Sequence, residues 1–198
     1  MPPGAQRMRF KDLYDQVYAL LANGNFAPGA RLGVKELADR LNVSPTPLRE
    51  ILSRLVGKDI IEEHRSEGYY LVGFDARRIG DLYALHRSCI DLALRTPSSP
   101  ASLPPLNSMP DVWAALDALV EATGNTALLQ TRRYLDGHLS LLRRCERRLF
   151  QDLEAEAARH LVVLGNGTRE ARRGVVRAFH HRRIAHARQL AFYMTRPT

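Results

Sequence analysis

The sequence predicts a mainly α-helical protein in two parts, a short helix–helix–helix–hairpin segment followed by an antiparallel α-helical bundle. Three observations predict it. Apolar residues recur at helical spacing through most of the 198 residues. Strand-like pairs occur only at residues 60–64 and 69–72, joined by the polar, glycine-ended turn Arg65-Ser66-Glu67-Gly68. Beyond Asp75 no further strand pattern is present.

In the first part, Leu13, Val17, Leu20 and Leu21 give a helical face that stops at Asn23-Gly24-Asn25. A Pro28-Gly29 bend follows, within a turn over residues 26–32. A short helix carries Leu37, Ala38 and Leu41 on one face and breaks at Asn42-Val43. Ser44 is a suitable N-cap for the next helix, with Pro45 at its first position, where a missing N–H costs nothing. Leu48, Ile51, Leu52 and Leu55 form the buried face of that helix. Two helices with a capped second member, then a hairpin, make a winged helix-turn-helix with a small β-hairpin wing, assigned to residues 1–74; by pattern alone the same elements also suit a small α+β domain without a nucleic-acid role.

Residues 75–198 read as helices throughout. Ile79, Leu82, His86, Cys89, Ile90 and Ala93 share the first face, and a Pro/Ser-rich break spans residues 96–110. Ser108 is the expected cap of the next helix, with Val112, Leu116, Leu119 and Val120. Leu128, Leu135, Leu142 and Leu149 mark a long helix, and another ends near Leu164. Thr168 is expected to cap one last helix running to about Met194. This half is the antiparallel bundle.

The formal charge of +8 is unevenly placed. Residues 1–75 hold ten basic and ten acidic residues, against nineteen and eleven in residues 76–198. Total charge therefore does not mark the first part as a polyanion binder, while the second part is expected to meet anions. The arginine pairs 132–133, 143–144, 147–148, 172–173 and 182–183 account for the excess and are expected on outer helix faces. Two cysteines, Cys89 and Cys145, are too few for a disulfide scaffold. With no secretory leader and no apolar run of membrane-spanning length, a cytoplasmic protein is expected. Neither a glycine-rich phosphate loop, a nucleophile elbow nor a His-Glu-x-x-His pair occurs, so no catalytic residue and no cofactor is expected.

The string Val43-Ser44-Pro45-Thr46-Pro47-Leu48-Arg49-Glu50-Ile51-Leu52, preceded by Lys35-Glu36-Leu37-Ala38, resembles the GntR family of bacterial transcription regulators. Arg54-Leu55 and the glycine-bearing wing extend the resemblance over about 65 residues. The back half is similar to the helical, FCD-like effector domain of the FadR-type branch, through Asp81-Leu82-Tyr83-Ala84-Leu85 and Ala122-Thr123-Gly124-Asn125. The resemblance implies a homodimeric DNA-binding regulator, usually a repressor. Its double-stranded operator DNA would be contacted by Lys35, Ser44, Thr46, Pro47 and Arg49. Pro45 stands where other members often carry a contacting arginine. The residues themselves suit this role. Arg49 lies one turn inside a helix whose positive end faces a phosphate, and its forked guanidinium matches guanine O6 and N7. Arg54 is counted with this set, and Arg65 with Gly68 forms a wing tip able to approach a groove. Glu50 is expected to pair locally with Arg54 at i+4.

Many FadR-type domains hold a metal through an Asp-x-x-x-His pair and two later histidines. Here Val112, Leu116 and Ala157 occupy three of those places and only His180 matches, so no metal is expected. His86, His138 and His180 lie on apolar faces, either as separate core histidines or as the lining of one cavity for a small anionic effector such as an organic acid. The alternatives are a ligand-free or architectural DNA binder, and an enzyme built in the helical half.

Overall fold

A computed structural model describes residues 9–22, 25–96 and 103–194. The described residues fall into two compact units, one formed by those up to Gly73 together with Met194, the other by Phe74–Tyr193. The predicted stop at Asn23-Gly24 and residues 97–102 of the Pro/Ser break lie outside them.

The first unit comprises α1 (Phe10–Ala22), β1 (Arg31–Leu32), α2 (Val34–Leu41), α3 (Pro45–Val56), β2 (Ile61–His64) and β3 (Gly68–Leu71). Asn42 ends α2 in the left-handed region (φ 52°), and its N–H bonds back to Asp39 O at 3.2 Å. An asparagine tolerates that conformation, which turns the chain tightly into α3. Leu37 and Ala38 of α2 are buried, as are Leu48, Ile51, Leu52 and Leu55 of α3. The wing differs from a simple hairpin. Its sheet has three antiparallel strands in the order β1-β3-β2, because Arg31 pairs with Tyr70 and Leu32 with Tyr69. Leu32, Ile61 and Leu71 bury its inner side.

The second unit holds α4 (Ala76–Arg95), a 3-10 turn (Leu106–Ser108), α5 (Val112–Glu121), α6 (Thr126–Leu149), α7 (Leu153–Asn166), α8 (Arg169–Ala185) and the body of α9 (Ala187–Met194). Side chains cap four of these helices, as the orphan N–H groups of a first turn require. Asp75 accepts from Arg78 N, Asp111 from Ala114 N, Asn125 from Leu128 N and Thr168 from Ala171 N. Ser108 is not the cap of α5; its hydroxyl is spent on Pro105 O at 2.8 Å inside the 3-10 turn, and Asp111 takes the role. Nor is the last helix continuous. It breaks at His186, whose Nδ1 bonds Arg182 O at 2.8 Å, and α9 begins after it.

The bundle is organised around a buried ion network. Arg183 of α8 is only 1% exposed. Its Nε bonds Glu146 Oε2 of α6 at 3.0 Å, and its terminal nitrogens reach Glu156 of α7 at 3.0 and 3.3 Å and Phe179 O at 3.0 Å. The guanidinium also lies over the Phe179 ring at 3.4 Å. Tyr83 of α4 closes the set by donating to Glu146 Oε1 at 2.5 Å. Burial and the Glu146 charge push the Tyr83 phenol well above its ordinary pKa, so it stays a donor. Burial alone would raise Glu156, but the hydrogen bonds and charge of Arg183 outweigh it and hold that carboxyl below its ordinary value.

Removing one partner of such a network strands the others in a dry interior. Arg183→Met is expected to cost about 3–5 kcal/mol in urea unfolding, since it leaves the buried Glu146 carboxylate without a cation and Glu156 with Arg182 alone. Adding Glu146→Leu and Glu156→Leu to Arg183→Met should recover much of that loss. Equal stability of the single variant and the wild type would show that the network bears no such weight.

Candidate functional site

The exposed end of α3 carries most of the predicted nucleic-acid residues. Ser44, Pro45, Thr46 and Arg49 are exposed, Pro47 is half-buried, and Lys35 is exposed near the start of α2. Ser44 is the N-cap by backbone geometry, yet its side chain makes no capping bond. Prolines at positions 45 and 47 remove two of the four orphan N–H groups normally found at a helix start. The polar groups left at this tip are the Ser44 and Thr46 hydroxyls and their amides. They project at a rigid end and consume no bonding capacity internally.

Arg49 lies within electrostatic reach of the sheet. The Tyr69 phenol is raised by partial burial and by Glu63, and the charge of Arg49 pulls it back. Arg65 is exposed at the turn between β2 and β3. Gly68 has φ +107°, a backbone that a side chain would strain, and a methyl there would lie 3.6 Å from Arg31 Nε. Arg31 is therefore a second cation on the wing. Sequence reasoning placed it in a turn, because a two-residue strand shows no period. Arg54 is placed differently from the other residues of the set. It bonds Glu50 Oε1 at 3.1 Å, the expected i+4 pair, and its guanidinium lies over the Phe10 ring at 4.3 Å. That side chain is committed within the unit.

In the second unit His86, His138 and His180 are all fully buried. Two of them meet. His86 Nδ1 and His180 Nε2 are 2.6 Å apart, and His180 Nδ1 lies 2.6 Å from Val176 O. The carbonyl accepts only, so His180 carries its proton on Nδ1 and accepts at Nε2 from His86 Nδ1–H. His86 Nε2 is left as a buried lone pair with no hydrogen-bond partner. His138 is held elsewhere, with Nδ1 3.0 Å from Tyr134 O and its ring against Phe74 and Tyr134. A cavity of about 200 Å³ shares Trp113 and Phe179 with the His86–His180 pair and is also lined by Arg143, Glu146, Glu156 and Arg183.

A divalent ion does not fit these donors. Both nitrogens of His180 are used, Val112 and Leu116 are buried apolar residues, and Ala157 offers no ligand. Among the described residues no group of three or more His, Cys, Asp or Glu is arranged to hold a metal, and no helix is long and apolar enough to cross a membrane.

Taken together, the first unit is a winged helix-turn-helix with an exposed polar tip on its second helix. Residues 10–71 match the family described as bacterial regulatory proteins, gntR family. Over 71 residues the chain is 37% identical to the Nta operon transcriptional regulator of Aminobacter aminovorans, an alignment covering 36% of this chain and 34% of that protein. It is 28% identical over 86 residues to the HTH-type transcriptional regulator YdhC of Bacillus subtilis, covering 43% and 38%. The chain thus spans little more than a third of the length of these curated relatives. The fold is similar to that of a GntR crystal structure from Rhodococcus sp. RHA1, with TM-score 0.72, 16% identity and coverage of 90% and 97%. It is also similar to E. coli McbR/YncC, with TM-score 0.66, 20% identity and coverage of 91% and 97%.

The histidine pair gives the second unit a defined response to acid. Burial lowers both imidazole pKa values, His180 to about 3, below the unfolded value near 6.5. The neutral forms are therefore native, and their stabilisation is complete above about pH 6.5 and lost as pH falls toward the folded values. From pH 7.5 to 5, His180 alone should cost roughly 2 kcal/mol, with His86 adding in the same direction. Urea unfolding across that range checks this, and an unchanged slope in His180→Gln would remove the assignment.

Proposed function

We propose that this chain is a sequence-specific bacterial transcription regulator of the gntR type, acting as a homodimeric repressor on double-stranded operator DNA. The observation that carries the reading is the tip of α3, where Ser44, Thr46 and Arg49 are exposed, with Lys35 exposed near the start of the preceding helix. In this reading α3 enters the major groove by its N-terminal turn. Arg49 meets a guanine edge through two parallel N–H donors, while Lys35 and the Ser44 and Thr46 hydroxyls hold phosphates. Arg65, Gly68 and Arg31 bring the wing to the neighbouring backbone. Two copies would present their α3 helices to half-sites ~34 Å apart.

The helical unit is proposed to take a small anionic effector whose binding changes operator affinity. The cavity beside the histidine pair supports a ligand-responsive role, with Arg143 and Trp113 in its wall. His86 and His180 enter this reading as the support of that wall, through Trp113 and Phe179, and His138 takes no part in it.

Operator binding tests the reading directly. Arg49→Ala is expected to weaken specific binding by about 1–3 kcal/mol and relax preference at one base position. Lys35→Ala should weaken specific and non-specific binding alike and reduce the salt slope by about 1. Wild-type affinity in both variants would exclude this docking. The mass of the protein–operator complex gives the copy number, and a single copy on the full operator would exclude the symmetric dimer.

A further inference from the structure

Helices α4 and α8 run antiparallel, as the contacts His86 to His180, Asp91 to Arg173 and Leu94 O to Arg169 require. They enclose an open groove of about 490 Å³. Its lining carries Arg87, Arg95, Arg173 and Arg177 against a single carboxylate, Asp91, with Ser88, Leu92 and Val176 completing the walls. The spacing builds this. Arg87, Asp91 and Arg95 succeed one another at i+4 on α4, and Arg173 and Arg177 do so on α8, so each helix presents one charged row.

Asp91 does not neutralise the groove. It serves two arginines at once, with Oδ1 2.6 Å from Arg173 Nε and Oδ2 2.9 Å from Arg95. The Arg173 contact and the Arg95 charge hold its carboxyl below the ordinary range against the opposing effect of burial, so it stays an anion and fixes both guanidiniums. Arg87 and Arg177, at the other end of the groove, make no hydrogen bond or ion pair with the described residues. The neighbouring Arg169 and Arg172 provide a contrast. Arg169 Nε donates to Leu94 O, and Arg172 donates to Gly165 O at 2.9 Å, so both are tied to backbone.

We propose that the α4–α8 groove is a binding site for a small polyanion carrying at least two carboxylate or phosphate groups. One anionic group sits between Arg87 and Arg177, and a second meets the Arg95–Arg173 pair, one helical turn along α8 and two along α4, or ~6–12 Å away. A singly charged ligand leaves most of the groove's charge unmatched. Leu92 and Val176 accommodate a short carbon skeleton between the charged ends. This site is separate from the cavity beside the histidine pair, with which it shares no lining residue, and it depends on the proposed function only for its consequence at DNA.

The test is calorimetric titration of the full-length chain with pyrophosphate, with citrate and with acetate, at constant ionic strength. Saturable binding of pyrophosphate or citrate, with none for acetate, is the expected result, and the stronger of the two probes tells phosphate from carboxylate chemistry. Arg87→Ala/Arg177→Ala should weaken that binding at least about tenfold. Neither residue bonds to its neighbours, so the variant should keep the thermal midpoint of the wild type without ligand. Arg133→Ala, on another face, should bind like wild type. Binding of neither probe, or equal binding by the double variant, overturns the site. Operator affinity is then measured with and without the bound probe. Binding without an effect on DNA leaves the groove standing and counts against its regulatory role alone.

Discussion

Arg183 is the residue on which the helical unit depends. A guanidinium cannot be neutralised, so enclosing it demands that carboxylates be enclosed beside it and that every N–H be matched. Glu146 and Glu156 meet that demand from α6 and α7, and Tyr83 from α4 fills the remaining acceptor capacity of Glu146. Four helices are thereby fixed in register by directional bonds, where an aliphatic core would fix only volume. The same demand shapes the interior around it. The ion network borders a sealed pair of imidazoles, His86 and His180. The cavity remaining next to them is close to 200 Å³.

Much of the first unit was legible because its signals are local. Asn42 is a left-handed stop, Ser44-Pro45 a start, and residues 65–67 a turn leading into Gly68, and each is decided by a few adjacent residues. The strand β1 was not, since two residues cannot show a period and its pairing partner lies almost forty residues away. Capping competition hid the start of α5. Both Ser108 and Asp111 are suitable caps, and only the 3-10 turn that captures the Ser108 hydroxyl decides between them.

In the second unit the helices were legible and their partnerships were not. A 3.6-residue period shows which positions face inward without telling which helix they face. His86 and His180 both qualified as inward residues, and so did His138, but only two of the three meet. Arg183 was misplaced for a related reason. As half of an Arg-Arg pair it looks like surface charge, and composition favours that assignment. Its burial follows from Glu146 and Glu156 on other helices, whose positions along their own faces give no hint of a shared partner.

The arginines of this unit illustrate how one side chain takes three roles according to what surrounds it. Inside the bundle, Arg183 holds carboxylates and cannot exchange them for solvent ions. At the rim, Arg169 and Arg172 satisfy backbone carbonyls, a fixed and neutral use of the guanidinium fork. In the α4–α8 groove, Asp91 orients two arginines while two more make no such contact, and the charge there is left to an external anion. Net charge measures the sum of these cases and so cannot distinguish them. The neutral first unit makes the same point in reverse. Its even balance conceals a helix tip where a rigid backbone end, two hydroxyls and Arg49 are concentrated, an arrangement that net charge does not register.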